Sequence, residues 1–267
     1  GGQFEILIWL KNNSYLDYQN KNSVVIRKAA TNGHLDIIYW LLENGYPFDY
    51  HGCAYDAARG GHINVLKWLK INGKFTNVDL NTIYQHAILS GNMEIIKYVR
   101  SLLTQNNVNY LSSNVINCAA RTGDLNIINY VYENGAKLIA SDAYCSAIRS
   151  KNIEILKWLK NHDCPKTRDA PKCAAALGSL EILKWLYEND FEINDSTYIF
   201  AIDHKNIHVL DWLIQNGCNI PQSNTDNIFH AAIARDDVTI MKWLQNNGLI
   251  ENTTIMTNNE TYCTLAA

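Results

Sequence analysis

The sequence has few of the features that mark membrane-bound, secreted or nucleic-acid-binding proteins. Only 4 of its 267 residues are proline, which favours helices. No apolar run approaches the roughly 18 residues needed to cross a bilayer, and the first residues lack the basic and apolar segments of a signal peptide. The formal net charge of −3 disfavours a general nucleic-acid or acidic-membrane surface. We therefore expect neither a nucleic-acid nor a membrane partner.

Motifs that carry chemistry are also missing. The 7 cysteines are odd in number and form no C-x-x-C pair, which argues against a disulfide framework and favours reduced thiols in the cytoplasm. Neither a phosphate-binding glycine loop nor a His-Glu-x-x-His motif occurs. His34 and His62 recur at equivalent positions, which indicates a structural role, whereas catalysis needs one unique cluster. The sequence thus predicts a non-enzymatic protein with no catalytic, cofactor-binding or metal-binding residue.

What the sequence does contain is an aromatic residue that returns every 27 to 32 residues. A landmark at a fixed period is the signature of a repeat architecture. Positions in each repeat are numbered from this landmark, so slot −11 lies eleven residues before it. The landmarks are Trp9, Trp40, Trp68, Tyr98, Tyr130, Trp158, Trp185, Trp212 and Trp243.

Other slots keep their residue type as the landmark recurs. Slots −5, −2 and +1 are apolar and share one helical face, slot −7 is usually glycine, and Asn-Gly often follows at +4 and +5. The pattern predicts a helix, a glycine turn, a second helix and a helix-ending Asn-Gly, followed by a variable connector. Slot −11 is always alanine, whose small side chain lets neighbouring helices approach closely: Ala29, Ala57, Ala87, Ala119, Ala147, Ala174, Ala201 and Ala232.

Residues 29–45, 57–73 and 119–135 resemble the second half of an ankyrin repeat. The resemblance implies an all-α fold, an ankyrin-type helix-turn-helix repeat solenoid with about eight complete repeats in a single domain, 1–267. The expected complete repeats are 23–50, 51–80, 81–112, 113–140, 141–167, 168–194, 195–224 and 225–252. A partial repeat is expected at 1–22 and a partial first helix at 260–267, which predicts a segment of a longer array or an array without its flanking repeats.

The chain departs from the family pattern in its first helices and connectors. The family's Thr-Pro-Leu-His opening is absent, and most units run shorter than about 33 residues, so we expect short or absent β-hairpin fingers. The polar stretch from Thr104 to Asn109 replaces an Asn-Gly and predicts an irregular connector. The Asn- and Ile-rich composition resembles the divergent ankyrin proteins of amoebal giant viruses, with protists and intracellular bacteria as alternative sources.

The resemblance implies that a partner protein binds on the concave face, which the connectors and first helices form. Three arginines share slot −9 and predict a basic stripe for an acidic segment of the partner; alternatively they are solvated and interact with helix C-termini. The partner-binding residues predicted in this way are Arg59, Leu89, Arg121, Arg149, Leu177, Asp203, His204 and Arg235.

The sequence therefore predicts a protein-binding scaffold in the cytoplasm, as a monomer that recruits an unidentified partner protein, a host protein if the source is viral. Two alternatives remain open at this point. One is a structural protein that self-assembles end to end. The other is the substrate-recruiting part of a ubiquitin-ligase adaptor, which is an analogy with ankyrin relatives.

Overall fold

A computed structural model describes residues 4–13, 23–75, 78–108, 111–139, 142–218 and 238–248. Within these ranges the secondary structure consists of sixteen helices, without a strand. The chain divides into two compact units, Gly1–Leu138 and Ile139–Ala267. The connectors in the described ranges are loops rather than β-hairpin fingers, as the short repeats predict.

The helices alternate between a first and a second helix of each repeat. In the first unit they are α1 (Phe4–Asn12), α2 (Ser23–Thr31), α3 (Leu35–Glu43), α4 (Tyr50–Gly60), α5 (Ile63–Ile71), α6 (Leu80–Leu89), α7 (Met93–Gln105), α8 (Asn114–Thr122) and α9 (Leu125–Glu133). In the second unit they are α10 (Ala143–Ser150), α11 (Ile153–Asn161), α12 (Ala170–Ala176), α13 (Leu180–Glu188), α14 (Asp195–Asp203), α15 (Ile207–Gln215) and α16 (Val238–Asn246). The predicted first helices within 225–252 and 260–267 lie outside the described residues.

Local side-chain hydrogen bonds fix the end of the second helices and the start of three of those described. At the start, Asn92, Asp124 and Asn152 each accept a bond from the backbone N–H two residues later. At the end, the asparagine at slot +4 donates its side-chain amide to the carbonyl oxygen of the landmark aromatic, as Asn134 does to Tyr130 at 2.8 Å. The residue at +5 then adopts a left-handed conformation, with φ of 94° at Gly135. The recurring Asn-Gly is therefore a helix stop, as the sequence predicts.

The first helices form the core of each unit because they pack side by side. Helices α2, α4, α6 and α8 lie in sequence in the first unit, and α10, α12 and α14 in the second. The alanine at slot −11 is at most 6% exposed in all seven described repeats. The next residue, at slot −10, is fully buried as well, although it varies between Ala30 and Ile88. The prediction that a small residue permits close helix packing is confirmed where the chain is described.

Helix α7 departs from the prediction of an irregular connector. It continues to Gln105, about one turn beyond the other second helices, so Thr104 and Gln105 are helical. Asn106 then bonds to the Leu102 carbonyl at 2.8 Å, and Asn107 takes the left-handed conformation with φ of 54°. The helix stop is therefore kept and moved four residues along the chain, because asparagine tolerates the conformation that glycine adopts elsewhere.

Two alanines of α12 allow a test of whether slot −11 requires a small side chain. Ala174→Leu adds volume at a fully buried slot −11 between packed helices, and we expect it to destabilise the protein by about 1–3 kcal/mol. Ala176→Leu, at the half-buried slot −9 where α6 carries Leu89, is the control and should change stability by less than about 0.5 kcal/mol. Urea unfolding followed by circular dichroism measures both. Equal effects of the two substitutions would contradict the close-packing role of slot −11.

Candidate protein-binding surface on the first helices

Within each unit, the first helices of neighbouring repeats contact one another through a row of side chains. In this row, slot −13 of one repeat contacts slot −12 of the next repeat, and the same two slots meet at four separate interfaces. We call the side chains at slots −13, −12 and −9 the first-helix face. The contacts in this face differ in chemistry from one interface to the next, whereas the alanines beneath them do not.

In the first unit, the row contains an ion pair and an aromatic stack. Arg27 Nε lies 2.7 Å from Asp56 Oδ2, and Arg27 Nη1 lies 3.9 Å from Asp49 Oδ2. The hydrogen bond with Asp56 raises the pKa of Arg27, which remains a cation. At the next interface, the Tyr55 and His86 rings stack with centroids 5.7 Å apart and planes inclined by 15°. Arg27 is thus neutralised by carboxylates before any partner is present.

In the second unit, the row contains a pair of thiols and a cation over an aromatic ring. The sulfur atoms of Cys145 and Cys173 lie 2.7 Å apart. At the next interface, Lys172 Nζ lies 5.5 Å from the centre of the Phe200 ring and 2.8 Å from Asp169 Oδ1. The hydrogen bond with Asp169 raises the pKa of Lys172. Neighbouring first helices at both interfaces therefore contact each other through polar, sulfur and cation–π interactions, which the apolar repeat pattern does not predict.

His86 is the titratable group at the centre of the first unit's row. Burial lowers the pKa of its imidazole from the ordinary value of 6.5, and the nearby Arg59 lowers it further. Its Nδ1 is buried and has no hydrogen-bond partner among the described residues. The ring is therefore neutral at pH 7 and contributes packing against Tyr55 rather than charge.

The predicted partner-binding residues fall into three groups by exposure. Arg59, Arg121, Arg149, Leu177 and His204 are exposed, with Arg59 and Arg121 in the first unit and the other three in the second. Leu89 and Asp203 are half-buried, and Arg235 lies outside the described residues. His204 is bonded through Nδ1 to the Phe200 carbonyl at 3.0 Å, so part of its hydrogen-bonding capacity serves its own helix.

The inter-repeat pairs were missed by the sequence reasoning, which considered only slots −9 and −8. Slots −13 and −12 do not keep a residue type, so a search for recurring residues passes over them. A pairwise comparison across neighbouring repeats would have found the opposite charges of Arg27 and Asp56 and the two cysteines. These contacts are predicted by complementary residue types at slots −13 and −12 of neighbouring repeats, and not by residues that recur along the chain.

The landmark aromatics lie on the second helices, where they pack between neighbouring repeats. Most described landmark rings contact the preceding repeat, often through its slot −1: Tyr39 meets Trp68 edge to face at 5.3 Å, and Lys67 lies 5.7 Å from the Tyr98 ring centre. Further along the chain, Trp243 Nε1 donates to Asp211 Oδ1 at 2.6 Å. These contacts explain the strict register of the aromatic.

Buried thiols and histidines elsewhere have structural surroundings. Burial raises the pKa of Cys53 to about 12 and of Cys164 to about 11, so both are protonated thiols at neutral pH. The His62 ring packs against Gly33 of the preceding repeat, where an added Cβ would lie 2.4 Å from Nδ1. Among the residues the structure describes, no three His, Cys, Asp or Glu side chains form a metal-binding group, and no helix is long and apolar enough to cross a membrane.

Comparison with known proteins finds a family match for one part of the chain. Residues 54–142 match the family model described as ankyrin repeats (3 copies). Among solved structures, the chain is similar to the human ASB11 ankyrin repeat domain, with 16% identity, a TM-score of 0.42, and coverage of 62% of this chain and 84% of that one. No curated protein matches the sequence.

The fold is thus a helical repeat solenoid. More specifically, it is an ankyrin-type solenoid, and residues 54–142 carry the sequence match. Ankyrin repeats generally mediate protein–protein interactions and are typically not enzymes. The resemblance to ankyrin repeats is confirmed for residues 54–142.

The position of His86 predicts a pH dependence of stability. Because the pKa of His86 is lower in the folded protein than in the unfolded chain, its contribution is complete above pH 6.5 and is lost as the pH falls towards the folded value. We expect His86→Gln to reduce the loss of stability between about pH 7 and about pH 5.5 in urea unfolding. His204→Gln changes an exposed imidazole and is the control. An unchanged pH dependence in His86→Gln would contradict this account.

Proposed function

We propose that this protein is a non-enzymatic scaffold whose first-helix face in the first unit binds an acidic segment of a partner protein. The observation that carries the proposal is the charge of these helices. Helices α2, α4, α6 and α8 contain four cations, Arg27, Lys28, Arg59 and Arg121, and one anion, Asp56. The whole chain has a formal net charge of −3, so positive charge is concentrated on this face.

Three of the four cations, Lys28, Arg59 and Arg121, are exposed and belong to no ion pair among the described residues. Arg59 and Arg121 lie at the C-terminal ends of α4 and α8. The acidic residues Asp49 and Asp79 cap the opposite ends of α4 and α6. An approaching carboxylate therefore meets the arginines first.

The spacing of the exposed arginines suits an extended or helical segment. Helix α6 lies between α4 and α8 and places Leu89 at the same slot as the two arginines. With packed helices about 10 Å apart, Arg59 and Arg121 are separated by roughly 20 Å. A segment with acidic groups at both ends and an apolar residue between them would match the order Arg59, Leu89, Arg121.

The described first helices of the second unit carry no excess of positive charge, which favours the first unit as the binding surface. They carry Arg149 and Lys172 against Asp195 and Asp203, so their formal charges cancel. Leu177 and His204 are exposed there, and they would extend the contact through apolar and polar groups. We propose that the chain acts as a monomer in the cytoplasm. A molecular mass that rises with protein concentration in light scattering would instead favour end-to-end self-assembly.

The test uses a displayed library of random peptides selected on the full chain. We expect the selected peptides to be acidic and their binding to weaken with added salt. The double variant Arg59→Glu and Arg121→Glu should lower the affinity of these peptides at least tenfold, which corresponds to about 1.4 kcal/mol. Fluorescence anisotropy with a labelled selected peptide measures the loss.

A matched control separates local charge from net charge. Lys70→Glu with Lys137→Glu changes the net charge by the same amount, at exposed positions on α5 and in the loop after α9. This control should keep most of the binding. Selected peptides without negative charge, or equal affinities for wild type and Arg59→Glu/Arg121→Glu, would reject the proposal. In that case the arginines serve the helix C-termini, and only thermal stability should change.

A further inference from the structure

The thiol pair in the second unit is distinct from the proposed binding surface in the first. Cys145 lies on α10 and Cys173 on α12, the first helices of neighbouring repeats, and their sulfur atoms are 2.7 Å apart. We propose that Cys145 and Cys173 are an oxidisable dithiol that forms a disulfide between the two repeats when it meets a low-molecular-weight disulfide such as oxidised glutathione.

The packing of neighbouring first helices places these two cysteines next to each other, so their proximity does not depend on one pair of side-chain rotamers. Cys145 occupies slot −13 and Cys173 occupies slot −12 of the next repeat. The same two slots hold the Arg27–Asp56 ion pair, the Tyr55–His86 stack and the Lys172–Phe200 contact. Side chains in these two slots therefore meet at three other interfaces, and two cysteines in the same slots meet as well.

The surroundings of the two sulfurs differ and assign them different roles. Cys145 is 3% exposed, whereas Cys173 is half-buried and open to a small oxidant. The hydrogen bond that joins the two sulfur atoms lowers the pKa of Cys173, and the charges of Arg149 and Lys172 lower it further. Burial and the charge of Asp169 act in the opposite direction, but the net shift is downward. The same contact raises the pKa of Cys145. Cys173 is therefore the attacking thiolate and Cys145 the resolving thiol.

The reaction is a balanced thiol–disulfide exchange in two steps. The Cys173 thiolate attacks one sulfur of the oxidant and releases the other half of the oxidant as a thiolate, leaving a mixed disulfide on Cys173. Cys145 then loses its proton and attacks the Cys173 sulfur, which forms the inter-repeat disulfide and releases the second half of the oxidant as a thiol. Both protein thiols are oxidised, and one molecule of oxidant is reduced to two thiols.

Cys118 provides a matched control from another repeat. It occupies the same slot as Cys173, but the contacting slot of the preceding repeat carries Gln85 instead of a cysteine. Burial raises the pKa of Cys118, opposite to the direction at Cys173. The slot alone therefore does not activate a thiol, and the neighbouring cysteine makes the difference.

The experiment treats the folded full chain with oxidised glutathione, alkylates the remaining thiols and digests the protein with trypsin without reductant. We expect a linked pair of peptides, 138–149 and 173–184, each of which contains one cysteine. The intact mass should fall by two hydrogen atoms, two alkylation sites should be lost, and dithiothreitol should restore both. Cys118→Ser should behave as the wild type does.

The variants decide between a disulfide and independent oxidation. Cys145→Ala should form a glutathione adduct on Cys173 more slowly, because the activating hydrogen bond is lost, and the adduct should persist, because the resolving thiol is absent. Cys173→Ser should leave Cys145 unmodified because it is buried. Circular dichroism checks that both variants are folded, and if Cys145→Ala does not fold, the peptide map of the wild type alone still decides. Glutathione adducts on Cys173 of the wild type without the linked peptides, or linkage to a different cysteine, would overturn the proposal.

Discussion

Close packing of the first helices is the constraint on which the other contacts depend. The alanine at slot −11 is buried in every described repeat, so neighbouring first helices meet without a large side chain between them. This approach brings slot −13 of one helix against slot −12 of the next, where Arg27 reaches Asp56 and Cys145 reaches Cys173. A bulkier residue at slot −11 would separate the helices and break these contacts together.

The second helices also contact each other at regular positions, and this regular packing depends on the packing of the first helices. Because each repeat is a hairpin of two helices, the spacing of the first helices also sets the spacing of the second ones. The landmark aromatic then lies within reach of the preceding repeat, as Trp68 does for Tyr39 and Tyr98 does for Lys67. The carboxamide of the asparagine at slot +4, for example Asn134, bonds to the landmark's carbonyl and ends the helix there. Packing and helix termination therefore involve the same residue.

The sequence predicts the parts of this structure that repeat and misses the parts that vary. Ala57, the landmark Trp68 and Gly73 return in register, so their structural roles can be inferred from recurrence alone. The extra turn of α7 could not be inferred in this way, because Asn106 and Asn107 replace the expected Asn-Gly four residues later than usual. The exposure of Arg59 and Arg121 follows from their slot, whereas the ion pair that neutralises Arg27 depends on a residue 29 positions away.

Variation at slots −13 and −12 is tolerated because of how a repeat solenoid is stabilised. Each repeat contacts its neighbours, so stability is approximately a sum over repeats and interfaces, and a changed surface pair alters one interface. An ion pair that is partly exposed, such as Arg27 with Asp56, contributes at most about 1 kcal/mol. A bulky residue at slot −11 costs more and acts on the close packing itself. The surface slots are therefore free to carry charge, aromatic rings or thiols, and chemistry that differs between repeats can arise there while the buried alanines stay the same.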